Sequence, residues 1–471
     1  MAKILNMPPE LMGHMVQDLG LTDIRSLRLS CRELCEKSSH RFKTFLAHQK
    51  TNLSEESLRI LVEISQHIDF APCVQSITIL ATIYSTTQLD KIIETGTRHV
   101  AEQAGMFTCT TTVECTQEEL EVAKADRGLI LQKIADQEHV QTAGIDTSML
   151  GAIFHNLKPV PLALSFEVNI QKDIDERRPA RFCSDLSQLW KRTSHTFIAT
   201  MAAVVRSGLI LNALRVYGGR WGGALSLHDL HHALPPLKAE GLTTALASLH
   251  KLYICVAPYV TDQDNAEEDN TEENNSNNDH YTALAEIISF APNIEELDVH
   301  GFKVRGEHAI YLDSIIQKAL LHKLKTCTLR GAYIEEDSLL QLLRNNLQLK
   351  NLHLKKIVLA GGNWKNIFNY LALTSSRHSA SHERDSCSAA SCKLDVVILD
   401  SLSESPPGRL LRFVPRSGEK ASVDALRRRI KIDSADRLRH GIQYNVPSGR
   451  TKGSPELYRW MNQNIIEFGP L

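Results

Sequence analysis

The run His228-Asp229-Leu230-His231-His232 sets three imidazoles close together in the chain, and imidazole is a preferred zinc ligand alongside thiolate and carboxylate. On a helix, His228 and either His231 or His232 would share one face at metal-ligand spacing, with Asp229 near by. No third ligand stands at a motif-like distance, so solvated or hydrogen-bonded histidines are the expectation and no metal is predicted. A second run, Gly218-Gly219-Arg220-Trp221-Gly222-Gly223, follows a strand pattern and precedes a helical one, as phosphate loops do. It lacks the closing Lys-Ser or Lys-Thr and the GxGxxG register, and it reads as a bend. Within it, Arg220 and Trp221 combine a guanidinium fork with a large apolar surface. Both types are enriched where proteins bind proteins, so these two are the candidate client-binding residues. No GxSxG elbow offers a serine nucleophile. Neither an enzyme nor a cofactor is expected, and recognition becomes the chemistry to explain.

Bulk properties point the same way. The chain has 471 residues, 42% hydrophobic and 23% charged, the balance of a protein that buries a real core. Lys and Arg number 53 against 55 Asp and Glu, for a formal charge of -2, so no chain-wide positive field exists to hold nucleic acid. The ten cysteines are irregularly spaced, with no CxxC, and read as reduced core thiols. Met1 to Glu10 lacks the basic and apolar regions of a secretion signal, which predicts a cytoplasmic or nuclear protein. The most apolar run, Phe197 to Val205, is far below the roughly 20 residues of a membrane span and predicts a buried helix instead.

The elements that must position any recognition surface are visible as a recurring phrase, apolar-x-x-apolar-x-apolar. It occurs at Val74-Ile77-Ile79, Leu157-Val160-Leu162, Leu211-Leu214-Val216, Leu249-Leu252-Ile254, Ile294-Leu297-Val299, Leu324-Cys327-Leu329, Leu349-Leu352-Leu354 and Leu394-Val397-Leu399. Alternation of this kind sends every second side chain into a stack. Leu297 to Cys327 is 30 residues, Cys327 to Leu352 is 25 and Leu352 to Val397 is 45, the last with a Ser-rich insertion. The 45 residues between Leu252 and Leu297 include Asp262 to Asp279, which holds eight acids and no base and predicts a solvated loop. Amphipathic helices are predicted before the phrases, at Ser194 to Arg206, Tyr281 to Phe290, Ala309 to Leu321 and Glu336 to Asn345. Such helix-strand units bury their apolar faces only by stacking, which predicts a curved solenoid with a parallel sheet on its inner, recognising wall. An ordinary α/β domain with helices on both sheet faces is the alternative.

The phrases resemble degenerate leucine-rich repeats. The stretch Leu359-Ala360-Gly361-Gly362-Asn363-Trp364, followed by Ile367-Phe368, is similar to the Gly-Trp turn into a helix found in the long F-box proteins of filamentous fungi. The N-terminus carries a related resemblance. In residues 4 to 35, Pro9 suits a first helical position, Leu11, Met15 and Leu19 recur at helical spacing, and Gly20 is a left-handed stop. Thr22 would cap a second helix bearing Ile24, Leu27, Leu29 and Cys31. The order Met7-Pro8, Glu10-Leu11, Asp23-Ile24, Leu27, Ser30-Cys31-Arg32 and Leu34 resembles the F-box family over about 45 residues, with Met7 where Leu is usual and no Trp after Cys31. The resemblance implies a helical module that docks onto a Skp-family adaptor through Pro8, Leu11, Ile24, Leu27, Leu29 and Leu34, and through it onto a cullin scaffold.

The expected fold class is therefore α/β: an all-helical F-box, then an irregular leucine-rich-repeat-type solenoid with parallel strands and outer helices. The expected organisation is an F-box at 1–48, linking helices and a first irregular repeat at 49–150, and a scaffold at 151–415. Inserts interrupt the scaffold at 262–279 and 375–392, and a basic segment follows at 416–471. In the linking region, Thr116-Gln117-Glu118-Glu119 has the form of a capping box opening a helix toward Gln137. Past Pro415 the chain turns basic, with Arg427 to Arg429 and Lys431 and then Arg437 and Arg439 on a predicted helix, a charge run read as a solvated face with an acidic client as its alternative use. The expected function is a non-catalytic substrate adaptor of a Skp-cullin-F-box ubiquitin ligase. The alternatives are a repeat scaffold with no ligase role and a metal-dependent enzyme at His228.

Overall fold

The computed structural model describes residues 7–104, 107–158, 162–171, 186–218, 223–258, 276–302, 310–319, 321–376, 394–405, 409–413, 428–434, 437–438 and 441–445. Four short helices come first: α1 (Pro9–Val16), α2 (Leu21–Ser30), α3 (Arg32–Lys37) and α4 (Ser39–Leu46). Then come β1 (His48–Asn52), α5 (Glu55–Gln66), β2 (Ser76–Tyr84) and α6 (Thr87–Thr95). A hairpin of β3 (Thr97–Ala104) and β4 (Phe107–Glu114) precedes α7 (Gln117–Thr142) and α8 (Ile145–Leu157). Next are β5 (Leu162–Gln171), α9 (Leu186–Ser207), β6 (Leu211–Val216), β7 (Leu225–Ser226), α10 (Leu227–Ala239), α11 (Leu242–Leu246) and β8 (Lys251–Ala257). The chain continues with α12 (Ser276–Ser289), β9 (Glu296–Gly301), α13 (Asp313–Lys318), β10 (Thr326–Arg330), β11 (Tyr333–Ile334), α14 (Glu336–Asn345), β12 (Asn351–Lys355) and β13 (Val358–Leu359). The last described elements are α15 (Trp364–Ser376), β14 (Val396–Asp400), β15 (Ser403–Glu404), β16 (Arg409–Leu410), β17 (Arg412–Phe413), β18 (Arg429–Ile432) and β19 (Tyr444–Asn445).

The fold is mixed α/β around an 11-stranded, mostly parallel sheet. Strands β1, β2, β5, β6, β8, β9, β10, β12 and β14 lie side by side in chain order, and β18 closes antiparallel on β14. Parallel neighbours need crossover connections, which the intervening helices supply. Register aligns the repeated phrase residue for residue. Ile77, Leu164, Leu214, Leu252, Leu297, Cys327, Leu352 and Val397 are successive partners across the sheet. Ile79, Phe166, Val216, Ile254, Val299, Leu329, Leu354 and Leu399 form the next rung.

Both rungs belong to one continuous core with apolar residues of α5, α8, α9, α10, α12, α14 and α15, where each fully buried Leu or Ile contributes about 1.5–3 kcal/mol. Every second residue of β9, β12 and β14 stays partly open instead. A parallel sheet covered by helices on both faces reads as continuously buried, so the alternation assigns the helices to one face. A smaller sheet of β11, β13, β15 and β16 follows the main strands. No described helix is long and apolar enough to cross a membrane.

Several local expectations need correction. The phrase at Leu157-Val160-Leu162 is out of step: Leu157 closes α8, Val160 lies outside the described residues, and the ladder runs through Leu164 and Phe166. The alternation Leu162, Leu164, Phe166 buries three side chains in the core, which outweighs the spacing of the phrase. Gly20 is extended, with φ of -72°, and is itself the cap of α2, so it is no left-handed stop, and Thr22 lies inside the helix it was expected to cap. The helix before β10 is shorter than its pattern and spans Asp313–Lys318. The acidic tract ends earlier than expected, since its last residues open α12 and the remainder lies outside the described residues. Most of the Ser-rich insert, from 377 onward, also lies outside them. In the basic segment Arg437 and Leu438 are helical, and Arg439 lies outside the described residues. Arg429 to Ile432 is β18, because Ile430 and Ile432 alternate with Arg429 and Lys431 and turn onto the core.

Other expectations hold. Phe197 to Val205 lies in the buried helix α9. Thr116 and Glu119 form the reciprocal capping box of α7, which runs on to Thr142. One sheet also joins segments that the boundaries at 150 and 415 would separate, because β1 and β2 begin it and β18 ends it.

Candidate functional site

Two surfaces remain for recognition. The first is the N-terminal helical module. Met12, Val16, Ile24 and Leu34 form a core of its own, with Leu19, Leu27, Cys31, Phe42 and Phe45 packed around it. Polar ties brace it: Arg28 donates to the Cys35 carbonyl at 2.8 Å and lies 4.3 Å over the Phe42 ring, while Lys37 donates to the Met7 carbonyl at 3.1 Å. The module meets the sheet through α4. The Ala47 carbonyl accepts backbone N–H groups from Gln75 at 2.8 Å and Ser76 at 3.0 Å, and Phe42 meets Phe70 edge-on at 5.6 Å.

The six docking residues implied by the F-box resemblance do not share one environment. Ile24 is fully buried and Leu34 nearly so. Both are spent on the module's own core and present no surface, which corrects their assignment as contacts. Leu27 is half-buried against the same core. Pro8 is exposed at the start of α1, Leu11 is 52% exposed and Leu29 is 87% exposed. Met15, which the resemblance did not single out, is 50% exposed. Its spacing from Leu11 was the available signal, since residues four apart share a helix face, while Met12 and Val16 carry the buried stripe.

The second surface is the sheet face that the helices leave open. Its central row passes through Lys50, Thr78, Ser165, Arg215, Tyr253, Asp298, Thr328, His353, Ile398 and Lys431. The row beside it includes His300, Arg330, Lys355, Asp400 and Arg429. Single-sequence reasoning missed these residues as a site, because the phrase that locates the strands ignores the positions between its apolar members.

Near its middle the face is a closed polar network. Arg215 lies 4.9 Å over the Tyr253 ring. The Tyr253 hydroxyl donates to Glu296 at 2.7 Å, and Glu296 pairs with Lys251 at 2.8 Å. Burial, then the bond to Glu296, pushes the Tyr253 hydroxyl up to about 12. Asp298 pairs with Arg330, yet burial outweighs that cation and raises its carboxyl above the usual range. Burial and then Arg330, Lys356 and Lys355 push the His300 imidazole down to about 3. Burial and then Arg330, Arg429 and Lys431 lower that of His353.

Repeat-to-repeat contacts carry the Gly-Trp turn. Gly362 has φ of +84°, and a Cβ there would lie 2.3 Å from Glu336 Oε2, so only glycine fits without displacing that carboxylate. Glu336 accepts the Asn363 backbone N–H at 2.6 Å and the Asn366 amide at 2.7 Å. Trp364 then begins α15 fully buried, stacked on Phe368 at 5.6 Å.

The histidine cluster sits at the start of α10. His228 and His232 approach edge-on at 4.4 Å, and burial, then His232, lowers the His228 imidazole despite Asp229. Among the described residues, no group of three or more His, Cys, Asp or Glu could hold a metal ion. Arg220 and Trp221 lie outside the described residues. Cys255 and Cys327 are buried free thiols; burial raises Cys255 strongly and Cys327 to about 12, so neither is a nucleophile near neutral pH. No protein-family model matches the chain, and no curated protein matches it either.

Proposed function

We propose that this chain is a non-catalytic substrate-recognition adaptor of a Skp-cullin-F-box ubiquitin ligase, with an F-box over about its first 48 residues and a leucine-rich-repeat-type solenoid behind it. The observation that carries the reading is that the N-terminal module completes a core of its own and still leaves Leu11, Met15 and Leu29 in water. Exposed large apolar residues on so small a module make sense when a partner covers them. Sequence-ordered parallel strands with helices on one face support the solenoid half of the reading. The mechanism is proximity: one end holds the ligase core and the other a client, which raises transfer by effective concentration rather than by chemistry in this chain.

The test is co-purification of the intact protein with a Skp-family adaptor and a cullin. Replacing Leu11 and Leu29 together by Asp abolishes capture on this reading, while the variant keeps its melting temperature. Capture that survives the double replacement rejects the docking face. A second reading is favoured by one observation, the backbone bonds from Gln75 and Ser76 to Ala47: the helices cap the first strand of a repeat scaffold that has no ligase role. That reading predicts no cullin recovery from either protein.

A further inference from the structure

Cations on the open sheet face are not distributed like its anions. At the β1 end Lys50 pairs with Glu167 at 2.6 Å. In the middle Lys251 pairs with Glu296 and Arg330 with Asp298. At the other end the register sets Lys355 beside Asp400 and Asp400 beside Arg429, with Lys431 one position along the same face. Arg429 and Lys431 are exposed and Lys355 is half-buried. Among the described residues, Asp400 is the one anion in this part of the row, and it already accepts a hydrogen bond from the Ser401 hydroxyl at 2.8 Å.

We propose that the β12–β18 end of the open face docks an extended acidic segment of a protein partner, whose carboxylates meet Lys355, Arg429 and Lys431. The inference rests on reading the open face as the client-binding surface, and it adds the chemistry of the client. Among the described residues of these two rows, three cations stand against Asp400 between β12 and β18. Burial and then Lys355 depress the Lys356 ammonium to about 8 against the opposing pull of Asp400, and burial, followed by Arg330, Arg429 and Lys431, lowers the His353 imidazole. Half-buried Ile398 sits in the central row between His353 and Lys431, an apolar foothold within the basic end.

The extent of the patch favours a peptide over nucleic acid. From β12 to β18 is two strand spacings, roughly 10 Å at the usual separation, and Glu296 and Asp298 stand on β9, two strands beyond β12. A longer polyphosphate would run onto those carboxylates, and a chain of net charge -2 supplies no wider attraction.

The experiment titrates the full chain against a short fluorescein-labelled peptide of alternating Glu and Ser, followed by anisotropy, with its Gln-for-Glu counterpart and oligothymidylate as comparisons. The Glu peptide is expected to bind at least ~10-fold more tightly than the Gln peptide and to weaken with salt. Lys355→Glu with Lys431→Glu is expected to lower affinity by ~10-fold or more, and Arg429→Gln with Lys431→Gln, which adds no negative charge, by a smaller factor. Lys50→Glu, at the far end of the same row, should leave affinity unchanged. Equal binding of the two peptides, insensitivity to both double variants, or tighter binding of oligothymidylate overturns the proposal. The Leu11→Asp, Leu29→Asp variant separates the two readings: it tests adaptor capture, and its peptide affinity is expected to match the parent protein.

Discussion

Trp364 donates its indole N–H to the carbonyl of Ser403, 2.9 Å away and 39 residues further along the chain. The bond ties the start of α15 to β15, so one side chain fastens two consecutive repeat units across the Ser-rich insert. Trp364→Phe keeps most of the apolar contact and leaves the buried carbonyl without that donor. The expected loss is about 1–3 kcal/mol of unfolding free energy, read from urea denaturation. An unchanged midpoint would mean that the insert, not the indole, sets this junction.

Ile24 and Leu29 stand on the same short helix, one fully buried and the other 87% exposed. Ile24→Ala should cost about 2–5 kcal/mol, the range for removing a large aliphatic side chain from a core. Leu29→Ala should stay within about 0.5 kcal/mol. Thermal melts of the two variants check the contrast. Equal costs would place Leu29 in a core rather than on a docking face.

Acid should weaken the sheet through His300. Its folded-state value of about 3 lies below the ordinary 6.5, so as pH falls from 6.5 toward 3 the unfolded chain takes up a proton that the folded chain refuses. Stability is therefore present above that window and lost within it as pH falls, by up to about 1.4 kcal/mol per pH unit from this one group. His300→Asn should flatten that part of the profile in denaturation curves measured between pH 7 and pH 4. A slope unchanged by the substitution would assign the acid sensitivity to other groups.

The repeat was legible because burial on one face leaves a period-two mark, and in seven of eight phrases it fell on a strand that the register aligns. The phrase at Leu157 failed for a local reason: a helix end and the strand after it supply apolar residues at the same spacing. The candidate site was far less legible. Arg330 and Asp298 are 32 residues apart and meet only because β9 and β10 pair in that register. Leu29 and Ile24 carry the same chemical type on one helix, and only the packing of α3 and α4 decides which faces water. At Arg429 and Lys431 the charges match those of a solvated face, and only Ile430 and Ile432, which alternate with them, mark the strand.

The central claim is tested most directly by titrating purified Skp-family adaptor onto the full chain by calorimetry. The parent protein should bind with one-to-one stoichiometry. Leu11→Asp with Leu29→Asp should weaken binding by ~100-fold or more, about 2.7 kcal/mol, with an unchanged melt. No heat of binding from the parent protein, or equal affinity in the double variant, contradicts the account.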